Sequence, residues 1–169
     1  MKDTVEYRYI AKHYGNRVAK RSQVPLINHI NEGLVVLDHI GATERAKRAF
    51  CMHPLWQADA DLFDNAYLAQ FIEPQVTVLT MEYRNIANAY LSDKMDAPYD
   101  IPIKISPLVE VNYMLIADKV QNRKDFITYH KATHARSAQL DLYFNLWLQA
   151  LGVDSTMYAT LCKAIDETS

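Results

Sequence analysis

Apolar residues recur at three- and four-residue spacing in one segment after another of this chain, with no strand-like alternation strong enough to suggest a sheet. That spacing commits the chain to helices. An α-helix gathers positions i, i+3, i+4 and i+7 on one face, whereas a strand scatters them over two. The periodicity predicts helices at about 4–19, 25–40, 43–53, 59–72, 75–92, 106–122, 124–132, 135–151 and 154–166. The chain-breaking residues are few, 4 Gly and 6 Pro, and most of the prolines fall where helices should start or the chain should turn. Pro25 and Pro107 suit the first turn of a helix, where a missing N–H costs nothing. Gly41 and Gly152 suit the left-handed residue that closes one, and Asp154 and Ser155 offer an N-cap for the last. Ser92–Lys104, with Pro98 and Pro102, reads as the longest loop. No repeat, low-complexity tract or composition shift divides the sequence. The expectation is therefore an all-α fold in a single domain over residues 1–169, a length that can bury one sizeable core.

A formal charge of -2 gives no bulk electrostatic reason to expect a nucleic acid or an acidic membrane as partner. No apolar run approaches the roughly eighteen residues of a membrane span. The first residues, Met1 to Arg8, lack the apolar stretch of a secretory signal, so a cytoplasmic location is expected. Cys51 and Cys162 lie on separate predicted helices without a Cys-x-x-Cys spacing, and read as reduced, buried thiols.

Against the apolar background three polar side chains stand out. Pro25-Leu-Ile-Asn-His29 opens one amphipathic run, and Ala49-Phe-Cys-Met-His53 closes another. Asp118 sits inside Leu115-Ile-Ala-Asp118-Lys-Val-Gln-Asn122-Arg123. Burying such groups is costly without partners. A hydrogen-bonded core histidine or a buried ion pair would meet that need for each one separately. Meeting one another would meet it for all three, because two imidazoles and a carboxylate can ligate one divalent metal. Asn28 and Asn31 flank His29 and are candidates to orient its ring. Arg17, Lys20 and Arg21 read either as a solvated helix end or as a phosphate-binding run, and Arg84 as a surface residue or a phosphate contact. His130 and His134 are four apart, but no Glu follows the first as in zinc proteases, so they read as a helix junction. Leu142, Tyr143, Phe144, Leu146 and Trp147 have core spacing.

At these residues the chain resembles the HD-domain superfamily, and within it the hydrolase domain of RelA/SpoT proteins and their small stand-alone homologues. The resemblance covers roughly residues 8–150. Lys20-Arg-Ser-Gln-Val-Pro-Leu-Ile-Asn-His29 is similar to the family's RKSGxPYxxH segment, with Leu26 in place of its Tyr. Ala49 to His53 lies where the family carries its His-Asp pair, and Leu115 to Arg123 is similar to LADRxxNxR. The resemblance implies an HD-domain-like helical bundle, with His29, His53 and Asp118 as metal ligands for Mn²⁺. It further implies that Lys20, Arg21, Ser22 and Asn122, with Arg84 as an addition of this reading, bind a small-molecule nucleotide. Two departures stand out. His53 is followed by Pro54 where the family has its Asp ligand, and Gln57-Ala58 replaces the family's Glu-Asp pair. Gln57, at the position of that pair, and Asn122, beside the nucleotide sugar, are the candidate catalytic residues. Asp59 or Asp61 would be a substitute ligand or simply an acid at a helix start. Trp56 would stack over a base or plug the void left by an absent ion.

The residues and the resemblance together lead to the expectation of a metal-dependent (p)ppGpp-type phosphohydrolase acting on a purine nucleotide. A deoxynucleoside triphosphate is another substrate of that class. The alternative is a scaffold that binds a nucleotide without metal or turnover, and a third is a protein-interaction module. A homo-oligomer is compatible with each of them.

Overall fold

The computed structural model describes residues 1–92 and 102–168. Among the described residues the fold is all-α, with no strand and a single isolated bridge between Val18 and Pro25. The helices are α1 (Val5–Tyr14), α2 (Ile27–His39), α3 (Glu44–Trp56), α4 (Asp59–Asn65), α5 (Pro74–Ala89), α6 (Val109–Asp125), α7 (Ser137–Ala150) and α8 (Ser155–Asp166). A 3₁₀ segment, Ala66–Phe71, extends α4, and a π-turn, Phe126–His130, extends α6. None of these helices is long and apolar enough to cross a membrane.

Local chemistry accounts for most of the boundaries. Thr4, Thr43 and Asp154 cap α1, α3 and α8, each side-chain oxygen accepting from a backbone N–H three residues on. Gly41 and Gly152 take the expected left-handed conformation, at φ 68° and 73°. Three expectations need correction. The first helix stops at Tyr14 instead of continuing to 19, because Gly15 turns positive (φ 52°) and its N–H bonds back to the Ala11 carbonyl. Pro25 and Pro107 stand two residues before their helices instead of inside the first turn; Pro74 is the proline at a helix start. The helix expected to end at 53 runs to Trp56, straight through Pro54. The expected loop Ser92–Lys104 has residues 93–101 outside the described set.

α3 and α6 form the centre. α3 packs against α1, α2, α5 and α6, and α6 also meets α7 and α8. One continuous apolar cluster fills the interior, with Trp56, Trp147, Tyr83 and Phe50 among its fully buried members. Cys51 is buried with them, while Cys162 is only half-buried. Glu6 is a fully buried acid tied to Arg48 at 2.8 Å, and Arg48 reaches on to Glu73 at 2.9 Å. The pair fastens α1 to α3 while the second bond anchors the start of α5.

One glycine decides how closely α2 approaches α3. A methyl group added at Gly33 would lie 2.3 Å from the Phe50 ring. Gly33 is one turn after His29, and Phe50 is one turn before His53. The closeness of the two helices here is what lets the two imidazoles meet.

Candidate metal centre

His29 enters from α2, His53 from the last turn of α3, and Asp118 from the middle of α6. Their ligating atoms all lie within 4.8 Å of one another. The two Nε2 atoms are 3.2 Å apart, and Asp118 Oδ1 is 3.5 Å from His29 Nε2 and 4.0 Å from His53 Nε2. Three helices distant in sequence thus bring together the three residues singled out as ligands.

The outer nitrogen of each ring shows which way its inner one faces. His29 Nδ1 is 2.7 Å from Gln121 Oε1, and Gln121 is itself held by donating to Glu32 (3.1 Å) and Asp125 (2.9 Å). An amide that donates twice through nitrogen must accept through oxygen, so His29 Nδ1 carries a proton. Neither Asn28 nor Asn31 performs this task, contrary to expectation; Asn31 accepts from the Tyr7 hydroxyl at 2.8 Å.

His53 Nδ1 donates to the Phe50 carbonyl at 2.6 Å. In an uninterrupted helix that carbonyl would accept from the N–H of residue 54. Residue 54 is proline and has none. Pro54 therefore frees the acceptor that sets the His53 tautomer. With both Nδ1 protons committed, two Nε2 lone pairs and a carboxylate oxygen converge on one point. A shared proton or a cation is needed there.

Charge around the cluster is balanced from one side. Lys119 Nζ lies 2.8 Å from Asp118 Oδ2, 3.4 Å from the Tyr143 hydroxyl and 4.9 Å from the centre of the Trp147 ring. Asn122 donates to Asp118 Oδ1 at 2.8 Å. Burial by itself would raise the Asp118 pKa, but the Lys119 ammonium and then the two imidazoles outweigh it and hold the carboxyl down at about 2. Burial likewise works against Lys119, and Asp118 more than offsets it, so the ammonium is retained. His53 is pushed down to about 3, first by burial and then by His29. Its ring is clasped by Phe50 and Tyr83, with centroids at 4.6 and 4.8 Å. His53 is thus neutral at physiological pH, as a metal ligand must be.

The cluster forms the floor of a cavity of about 640 Å³. Arg21, Ser22, Gln57 and Asn122, all expected at a nucleotide site, line it, and so does Pro54. Lys20 does not. It is exposed, and Arg17 caps the end of α1 by donating to the His13 and Tyr14 carbonyls. Arg84 also lies outside the lining, ion-paired with Asp59. That bond turns Asp59 away from any ligand role, and its carboxylate is almost fully exposed. Trp56 neither stacks in the cavity nor plugs it; its Nε1 donates to the Asn65 carbonyl at 3.0 Å and fastens α3 to the end of α4. Of the residues expected only as core, Tyr143 and Phe144 also face the cavity, while Leu142 is exposed.

Gln121 and Lys119 carry no signal of a site role in the sequence. Each is a long polar side chain beside a motif residue, and only their burial, at 1% and 5% exposure, marks them. No protein-family model matches the chain, and no curated protein or solved structure matches it.

Proposed function

We propose that this chain is a divalent-metal phosphohydrolase of the HD type, acting on a purine nucleotide, with guanosine tetraphosphate-like pyrophosphates as the first substrates to try. The observation that carries the reading is the convergence of His29 Nε2, His53 Nε2 and Asp118 Oδ1, with both outer ring nitrogens already donating elsewhere. Two imidazoles and one carboxylate with open positions suit a first-row divalent ion, Mn²⁺ in this reading. Such an ion would acidify a water and neutralise the phosphate oxygens under attack.

The chain's own residues have separate tasks. Gln121 and the Phe50 carbonyl orient the two rings. Lys119 occupies Asp118 Oδ2 and leaves Oδ1 facing the cluster. Arg21 and Ser22, which line the cavity, would steady phosphate oxygens, and Asn122, bonded to Asp118, would meet the sugar. Gln57 contributes a neutral amide where a base would be useful, so the protein supplies little proton transfer from that side.

Purified protein incubated with Mn²⁺ and a panel of guanosine pyrophosphates and deoxynucleoside triphosphates tests the reading; silence across the panel at metal saturation removes it. A second reading, a binding scaffold without turnover, is favoured by Pro54 and Gln57 at the cavity wall, where carboxylates would be needed. Nucleotide affinity unchanged by EDTA supports this second reading, and affinity abolished by EDTA removes it.

A further inference from the structure

The cavity has a second polar cluster, apart from the metal centre. His130 and His134 both line it, together with Arg21 and Ser22. His130 ends the π-turn, in which Lys131 N–H donates to the Phe126 carbonyl five residues back at 2.7 Å. π-Turns re-aim the side chains beyond them and are frequent at functional sites. The next bend brings in His134. Its Nδ1 accepts from the Arg136 N–H at 3.0 Å, which puts the ring proton on Nε2 and makes that atom a donor. Ser22 Oγ accepts from Val24 N–H at 3.4 Å and keeps its own proton to donate. Arg21 is exposed, and among the described residues no carboxylate forms an ion pair with it.

Arg21, Arg136 and His130 all act on His134 electrostatically and, after burial, hold its pKa below the ordinary value. Two guanidinium groups, Arg21 and Arg136, thus act on His134. Among the described residues two carboxylates line the same cavity: Asp118 belongs to the floor, and Asp125 is engaged by the Gln121 amide at 2.9 Å.

We propose that Arg21, Ser22, His130 and His134 form a phosphate-binding subsite at the rim of the cavity, separate from the His29–His53–Asp118 floor. A guanidinium fork, an imidazole N–H and a hydroxyl are the donor set that recognises a phosphate oxyanion. The subsite holds one phosphate of the ligand while the rest of the molecule reaches inward along the apolar wall of Leu26, Phe126 and Phe144. The inference rests on reading this cavity as a phosphate-ester site.

Titrating inorganic pyrophosphate into the full chain in EDTA reads the rim without the ion that the proposed function needs. Binding is expected, and Arg21→Gln with His134→Asn weakens it by about tenfold or more. In the unmodified protein, pyrophosphate should move the ring signals of His130 and His134 in NMR spectra, and leave those of His13 and His39 in place. Equal affinity in the double variant overturns the proposal. So does a response confined to His29 and His53, or no saturable binding up to about 10 mM. A chain that binds pyrophosphate in EDTA but never turns over a nucleotide keeps the rim and loses the hydrolase. Turnover without a rim response does the reverse.

Discussion

The two walls of the cavity are built on different principles. On the α2–α6 wall every charged group has a partner. Gln121 holds His29 and is held by Glu32 and Asp125, while Lys119 and Asn122 share the oxygens of Asp118. The α3 wall has one buried imidazole, a proline and an amide, and the acid that follows in the chain, Asp59, turns outward to Arg84. A wall of satisfied charges fixes geometry, which is what binding needs. A wall without acids offers no group to move a proton. Under the proposed function, the first wall would hold a ligand and the second would give little help in activating water.

The largest effect should come from the wall with more partners. Asp118→Asn strands the Lys119 ammonium in the interior and should cost about 3–5 kcal/mol, read as a lower urea midpoint with unchanged m-value. A loss below about 1 kcal/mol would show that the network is slack, and the comparison would fail.

Acid titration separates the walls by pH. His53 and Asp118 are both held below their ordinary values, to about 3 and about 2, so each takes up a proton more readily in the unfolded chain. In EDTA, stability should be full above pH 6.5 and fall by on the order of a few kcal/mol as pH drops toward 3, through His53. A further limb, between 3.8 and about 2, belongs to Asp118. His53→Gln should flatten the first limb and leave the second; a flat profile in the unmodified protein contradicts the assignment.

Gly33→Ala tests whether the walls must approach. Its methyl meets the Phe50 ring at 2.3 Å, and relief by backbone shift should cost about 1–3 kcal/mol and weaken Mn²⁺ binding, measured by calorimetry. The smallest stability loss is expected from Gln121→Ala, about 1–2 kcal/mol for the bonds to Glu32 and Asp125, with Mn²⁺ affinity lowered by about 10- to 100-fold. Unaltered affinity would mean that Gln121 does not orient His29.

Much of this arrangement is readable from residue order. A histidine or aspartate inside an apolar helical run has to find a partner, which marks His29, His53 and Asp118, and the resemblance to the HD motifs is what joins them into one expected site. Other features are illegible for definite reasons. Gln121 looks like one more polar residue in Val-Gln-Asn-Arg, since no local rule shows that Glu32, 89 residues away, grips its amide. Lys119 is the immediate neighbour of Asp118, and adjacent helical residues do not ordinarily face each other; the long side chain folds back to bring its ammonium to the carboxylate. Arg84 looks suited to phosphate in the sequence because its partner Asp59 is 25 residues distant. The end of α1 is hidden because apolar periodicity runs past Gly15, whereas the backbone turns at it.

Pro54 makes a return to an acid at this position less simple than it looks. Aspartate there would bring back an amide hydrogen as well as a carboxylate, and that hydrogen would compete with the His53 ring for the Phe50 oxygen. One codon thus governs two coordination variables in opposite directions, ligand number and imidazole orientation. Pro54→Ala, which changes only the second, is the control against which any Pro54→Asp gain has to be measured.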